Sequence, residues 1–180
     1  MHVRTIVSMS EVVPQLILIR GPIGVGKSTT VGLLRELIQP ASVVDFDAFK
    51  RQIDTSQSSD WRRKTALKTA TFMTEHLMQA MRRIIVDIHS SSHEQLQEYI
   101  SLANRYAYPT TSCLLFAPVE VCLQRAYDRF VPGLHYPIDE TMVREYHDHT
   151  FMIAGEPEYD TSVFAPETVV DLIYKQLHRI

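Results

Sequence analysis

The stretch Gly21-Pro22-Ile23-Gly24-Val25-Gly26-Lys27-Ser28 sets three glycines, a lysine and a hydroxyl in the spacing G-x-x-x-x-G-K-[ST]. That composition suits the holding of phosphate. Glycines allow backbone angles and close approaches that a side chain would obstruct, so consecutive N–H groups can turn inward onto phosphate oxygens. The positive end of a following helix adds to the attraction. Lys27 can reach β- and γ-phosphates as a point charge, the Ser28 hydroxyl can ligate Mg²⁺, and Thr29 adds a hydroxyl near the α-phosphate. Gly21, Pro22, Ile23, Gly24, Val25, Gly26, Lys27, Ser28 and Thr29 are therefore the candidate nucleotide-binding residues, with ATP and Mg²⁺ as the expected ligands.

Carboxylates follow at two further points. Val44-Asp45-Phe46-Asp47-Ala48-Phe49-Lys50 closes the second apolar run, and a carboxylate at a strand end can take the proton of an attacking hydroxyl. Asp47 is the candidate base, Asp45 its alternative; the bland reading of Asp47 is a helix N-cap. Asp87 closes the third run and is the candidate partner of Ser28 at the metal, with turn capping as its alternative. His89 shares that edge, where a lone histidine is more often an ordinary polar contact. Arg125 and Arg129 lie four apart on a predicted helix and, with the loop Val131-Pro132-Gly133-Leu134-His135-Tyr136-Pro137, suggest a lid over phosphates around 125–140; surface pairing with Asp128 or Glu120 is the alternative. Arg144 is a weaker candidate for the same site. Tyr146-His147-Asp148-His149 is rejected as a metal site, because residues two apart on a helix diverge.

These groups need a scaffold that delivers them to one edge. Five short apolar runs, 16–19, 42–45, 84–87, 113–116 and 161–164, alternate with helical patterns, as in a parallel α/β sheet covered on both faces. Between them, Val31, Leu34 and Ile38 mark a helix ended by Pro40. Leu67, Ala70, Thr74, Leu77 and Met81 mark one over 60–81. Further helices are expected over 93–106, 119–130 and 167–177, the last buried through Val169, Leu172, Ile173 and Leu177. In such sheets ligands bind beyond the carboxyl ends of the strands, where the glycine turn, Asp45, Asp47 and Asp87 all fall.

The 180 residues, without repeat or linker, predict a single domain over 1–180. A hydrophobic fraction of 45% with 22% charged residues is that of a globular protein, and no apolar run nears the roughly 20 residues that span a bilayer. Polar residues break the apolar positions of Met1–Pro14, which hold no uninterrupted signal-peptide core, and Cys113 and Cys122 suit buried thiols in a reducing compartment, so a cytoplasmic location is expected. A net charge of −3 argues against a nucleic-acid footprint. The N-K-x-D and D-x-x-G signals of guanine-specific proteins are missing, since Asp87 is followed by Ile88-His89-Ser90. Large ATPase modules need more chain than this, which leaves a small kinase.

The chain resembles the small P-loop kinases that include chloramphenicol phosphotransferase, zeta toxins and related AAA-type ATP-binding kinases. The resemblance is carried by G-P-I-G-V-G-K-S-T, D-F-D-A-F-K, A-P-V-E-V-C-L-Q-R-A-Y-D-R and Y-D-T-S-V-F-A-P-E-T-V-V. It implies a three-layer P-loop NTPase fold with a five-stranded parallel sheet of order 2-3-1-4-5 and helices on both faces. It also implies Asp47 as base or acceptor ligand, Arg125 as a lid residue, and adenine near the lid helix and the fifth strand. The expected reaction is transfer of the ATP γ-phosphate to a hydroxyl on a small molecule. A nucleoside or polynucleotide 5′-hydroxyl acceptor, or a nucleotide-binding regulator or toxin-like protein, stays open beside it.

Overall fold

The computed structural model describes residues 13–130 and 139–178. Five parallel strands, β1 (Gln15–Gly21), β2 (Ser42–Asp45), β3 (Arg83–His89), β4 (Thr110–Phe116) and β5 (Glu158–Asp160), form one sheet in the order β2-β3-β1-β4-β5. The helices are α1 (Lys27–Leu37), α2 (Phe46–Gln52), α3 (Ser59–Gln79), α4 (His93–Arg105), α5 (Val119–Asp128), α6 (Glu140–Asp148) and α7 (Pro166–Leu177). Among the described residues no helix is long and apolar enough to cross a membrane.

Side chains alternate along each strand, so the sheet has two apolar faces. Ile17, Ile19, Ile85, Cys113 and Leu115 pack against Val31, Leu34 and Ile38 and against Val169, Val170, Ile173 and Leu177 of α7. Leu16, Leu18, Val44, Ile84, Val86 and Ile88 pack on the other side against Ala70 and Met78 of α3 and Leu96, Tyr99, Leu102 and Ala103 of α4. Each fully buried aliphatic side chain contributes roughly 1.5–3 kcal/mol, and this two-sided burial fixes the register that aligns the strand ends. Asp45 lies opposite Asp87 across β2 and β3, and Gly21 lies opposite His89 across β1 and β3.

Two expected elements are corrected. The fifth strand is Glu158–Asp160, not 161–164. Asp160 turns the chain instead: its Oδ1 accepts from the Ser162 N–H at 2.8 Å and the Ser162 hydroxyl at 2.6 Å, and its carbonyl accepts from the Phe164 N–H at 3.0 Å. The buried stripe of α3 ends at Met78 rather than Met81. Met81 has φ of 53°, and the bonds from Met81 N to Met78 O and from Arg82 N to Leu77 O close the helix in a Schellman arrangement that leaves Met81 exposed.

Candidate active site

The turn between β1 and α1 has the backbone that its glycines predict. Gly24 and Gly26 have φ of 81° and 104°, conformations in which a side chain is strained. A Cβ on Gly24 would sit 2.1 Å from the Cys122 carbonyl of α5, and one on Gly21 would sit 2.6 Å from Val25 Cγ1. The loop is thus wedged between β4, α5 and its own core residue Val25. Gly26 is the N-cap of α1, with no side-chain cap and no acidic residue in the first turn. Four other helix starts are occupied, by Asp45, Ser58, Ser92 and Asp139, while α5 and α7 also lack a side-chain cap but do not follow a glycine turn. The N–H groups that begin α1 are left for an anion.

Lys27 is buried, with its Nζ donating to Pro22 O at 3.0 Å and lying 3.9 Å from Asp87 Oδ1. Ser28 Oγ donates to Asp87 Oδ2 at 3.5 Å. Burial pushes the Asp87 carboxyl above its ordinary range, opposed chiefly by the Lys27 charge. A hydroxyl and a mostly buried carboxylate converging beside a phosphate cradle form a donor set that fits Mg²⁺, a hard cation with oxygen ligands. Asp87 does not cap a turn, because β3 runs on to His89.

Asp45 and Asp47 part company. Asp45 is the N-cap of α2, its Oδ1 accepting from the Ala48 N–H at 3.0 Å while Oδ2 lies 3.8 Å from Arg51. The capping role considered for Asp47 therefore belongs to Asp45. Asp47, inside the first turn of α2, lines the cleft and places Oδ2 3.5 Å from His89 Nε2. Burial would raise its carboxyl, but the interaction with His89 and the charges of Lys27 and Lys50 outweigh it and hold Asp47 well below the usual carboxylate range. Half of the Asp47 side chain is open to water, and the carboxyl is ionised at neutral pH.

The cleft between the glycine turn, α2 and α6 has a volume of about 200 Å³. Ile23, Gly24, Gly26, Lys27, Ser28, Asp47, Asp87 and Arg129 of the expected residues line it, together with others that include Lys50, Arg51, His89, Met142 and Tyr146. Arg125 does not. Its Nη2 donates to Thr161 O at 2.7 Å and its Nη1 to Thr161 Oγ1 at 3.0 Å and Val25 O at 3.4 Å. Thr161 Oγ1 donates to the same Val25 carbonyl at 2.7 Å. Neither surface partner considered for Arg125 is used; it pins the turn after β5 to the glycine loop. Helix α5 ends at Asp128, so Arg129 caps it and alone of the pair reaches the cleft. Arg144 is bound to Glu120 and Glu140, each at 2.8 Å, and is not a cleft residue. The part of the expected lid over 131–138 lies outside the described residues, as does most of Met1–Pro14.

Met142 and Tyr146 were not foreseen, because α6 carries no motif and its side chains reach the cleft only through the fold. Arg20, the residue before the glycine turn, helps place them. Fully buried, it pairs with Glu156, donates to Phe151 O at 2.9 Å and Ser90 O at 3.4 Å, and stacks over the Phe151 ring at 4.4 Å. That ties the segment leaving α6 to the end of β3. A charge at the end of an otherwise apolar strand was the available signal. Breaking a buried pair of this kind costs roughly 3–5 kcal/mol.

A family model described as an AAA domain matches residues 16–148. No curated protein sequence matches the chain. Among solved structures, the tunicamycin resistance protein of Deinococcus radiodurans is similar at a TM-score of 0.68 and 18% identity, over 91% of this chain and 95% of that one. The APS kinase CysC of Mycobacterium tuberculosis, in complex with AMPPNP and APS, is similar at 0.67 and 13%, over 92% and 98%. A gluconokinase from Sinorhizobium meliloti 1021 is similar at 0.61 and 14%, over 93% and 99%. At these identities the likeness is one of fold, the three-layer fold of small P-loop kinases.

Proposed function

The chain belongs to this AAA domain family, and from that premise we propose that it is a phosphotransferase moving the γ-phosphate of ATP to a hydroxyl of a small molecule. The observation that carries the reading is Asp47: an ionised carboxylate facing the same 200 Å³ cleft as Lys27 and the uncapped start of α1. A phosphate acceptor is already ionised near neutral pH and needs no base, whereas a hydroxyl must lose its proton as it attacks.

The N–H groups of the glycine turn and the start of α1 hold the β- and γ-phosphates, and Lys27 and Arg129 offset the charge on the transferring group. Ser28 and Asp87 are the residues to hold Mg²⁺, which when bound supplies charge neutralisation at the phosphates. Asp47 accepts the hydroxyl proton as the acceptor oxygen bonds to the γ-phosphorus; the bond from that phosphorus to the β–γ bridging oxygen breaks and ADP leaves. Met142 and Tyr146 form part of the wall against which the acceptor body rests.

The test is γ-labelled ATP transfer across antibiotics, sugars, sugar nucleotides, nucleosides and oligonucleotide 5′ ends, followed by Asp47→Asn with the acceptor so found. A positioned base contributes roughly 10²- to 10⁴-fold, so kcat falls by about that factor while the ATP Kd holds. Label moving only to 5′ ends would give the acceptor to a nucleic acid. Tight ATP binding with no ADP formed under any acceptor would make the protein a nucleotide-dependent switch.

A further inference from the structure

We propose that His89 is a positioning residue that acts through Asp47, donating from Nε2 to Asp47 Oδ2 so that Oδ1 is turned to the incoming hydroxyl. The inference rests on the reading of Asp47 as the base.

His89 ends β3 directly opposite Gly21 of β1, so the sheet itself fixes its backbone beside the glycine turn. The ring is mostly buried, and Tyr146 meets it edge-on, with centroids 5.3 Å apart and planes at 62°. Its two nitrogens have different surroundings. Nε2 lies 3.5 Å from Asp47 Oδ2. Nδ1 is buried without a hydrogen-bond partner among the described residues.

An unpaired buried acceptor is less costly than an unpaired buried donor, because orphaned N–H groups are the rarer defect in folded proteins. Hydrogen on Nε2 therefore fits, and among the described residues Asp47 Oδ2 is the ion-pair partner it meets. Asp47 needs such a partner. Its side chain is half exposed on a seven-residue helix and, apart from His89, has no hydrogen bond or ion pair among the described residues. Asp45, its neighbour, is fixed by the Ala48 N–H; Asp47 has only the ring. A carboxylate free to rotate presents its lone pairs to the acceptor only part of the time, and small misplacements of a reacting group reduce rates by up to roughly 10²-fold.

The test reads the atom as well as the rate. In Gln, the amide nitrogen falls near the Nε2 position; in Asn, near Nδ1. With the acceptor identified by the transfer screen, His89→Gln retains most of the turnover, while His89→Asn and His89→Leu lose up to roughly 10²-fold in kcat with the KM for ATP unchanged. In an Asp47→Asn background His89→Leu adds no further loss, because both changes remove one function. Long-range ¹H–¹⁵N spectra of the full chain need no acceptor: Nε2 of His89 carries hydrogen, and its resonance moves in Asp47→Asn. Equal rates for the Gln, Asn and Leu variants, or a His89 resonance indifferent to Asp47→Asn, would overturn the proposal. If instead Asp47→Asn keeps full transfer, it is the base assignment that fails; if Asp47→Asn is inactive and His89→Leu is not, the base stands and the positioning role falls.

Discussion

On the glycine-turn side of the cleft the working groups are main-chain N–H donors, held by Gly24, Gly26 and the start of α1. On the opposite side they are side chains, Asp47 from α2, His89 from β3 and Tyr146 from α6. The first side is rigid for reasons of covalent geometry and packing: a loop wedged against Cys122, Val25 and Leu115 has little room to differ. The second is held by single contacts between separate elements, such as the 3.5 Å approach of His89 to Asp47 and the Arg20 network behind α6. Under the proposed function the backbone cradle holds the part of the substrates that does not vary, the polyphosphate. A side-chain wall can be rebuilt for a new acceptor without disturbing it.

The comparison breaks most visibly at Lys27, the lysine that the proposed cradle places at the phosphates. Lys27→Ala removes the cation between Pro22 O and Asp87. Losing a preorganised charge at the transferring group lowers kcat by roughly 10²- to 10³-fold. The fold survives, because Asp87, already pushed toward its neutral form by burial, can take up a proton once its cation is gone. Turnover and thermal melting on the same preparation check this; unchanged turnover would remove the turn from the active site.

Gly24 and Gly32 sharpen the comparison within a few residues of chain. Gly24→Ala forces a Cβ to within 2.1 Å of a carbonyl at positive φ, and strain of this kind costs of order 1–3 kcal/mol, with loss of nucleotide affinity because the N–H donors are displaced. Gly32 lies in α1 with nothing within 4 Å of its Cβ position, so Gly32→Ala stabilises by roughly 0.5–1 kcal/mol and leaves affinity alone. Denaturant melts and nucleotide titration of the two variants separate a glycine required by the cradle from one that is incidental.

The same division governs what could be read before the fold was known. The cradle is contiguous, so G-P-I-G-V-G-K-S specified it within eight residues, and the apolar runs placed four of the five strands. The fifth was displaced because Thr161-Ser162-Val163-Phe164 has strand-forming residue types, while the deciding group, the Asp160 carboxylate that turns the chain, acts through hydrogen bonds that no periodicity reveals. Asp47 was legible as a strand-end carboxylate, but its pairing with His89 spans 42 positions and depends on the β2–β3 register. Met142 and Tyr146 sit on a short amphipathic helix with no distinguishing pattern. Backbone requirements write themselves into adjacent residues; side-chain constellations are distributed among elements that only the sheet brings together.

Arg125 lies on the boundary between the two regions, and its substitution carries the smallest expected effect. A lid arginine would be free to swing and would act on charge developing in transfer, so its loss would lower kcat. The observed guanidinium donates to Thr161 O, Thr161 Oγ1 and Val25 O, all three of which would lose a charged donor. Hydrogen bonds from charged groups contribute roughly 1.5–3 kcal/mol where buried and less where water can replace them. Arg125→Ala is therefore expected to lower stability by about 1–2 kcal/mol and to raise the KM for ATP as the turn after β5 loosens from the cradle, with kcat nearly unchanged. Thr161→Val, which removes the hydroxyl that donates to the same Val25 carbonyl, should reproduce part of the shift in KM. Steady-state kinetics of both variants decide the matter. A fall in kcat at constant KM in Arg125→Ala, with Thr161→Val silent, would return Arg125 to the lid and show that the clamp opens when nucleotide binds.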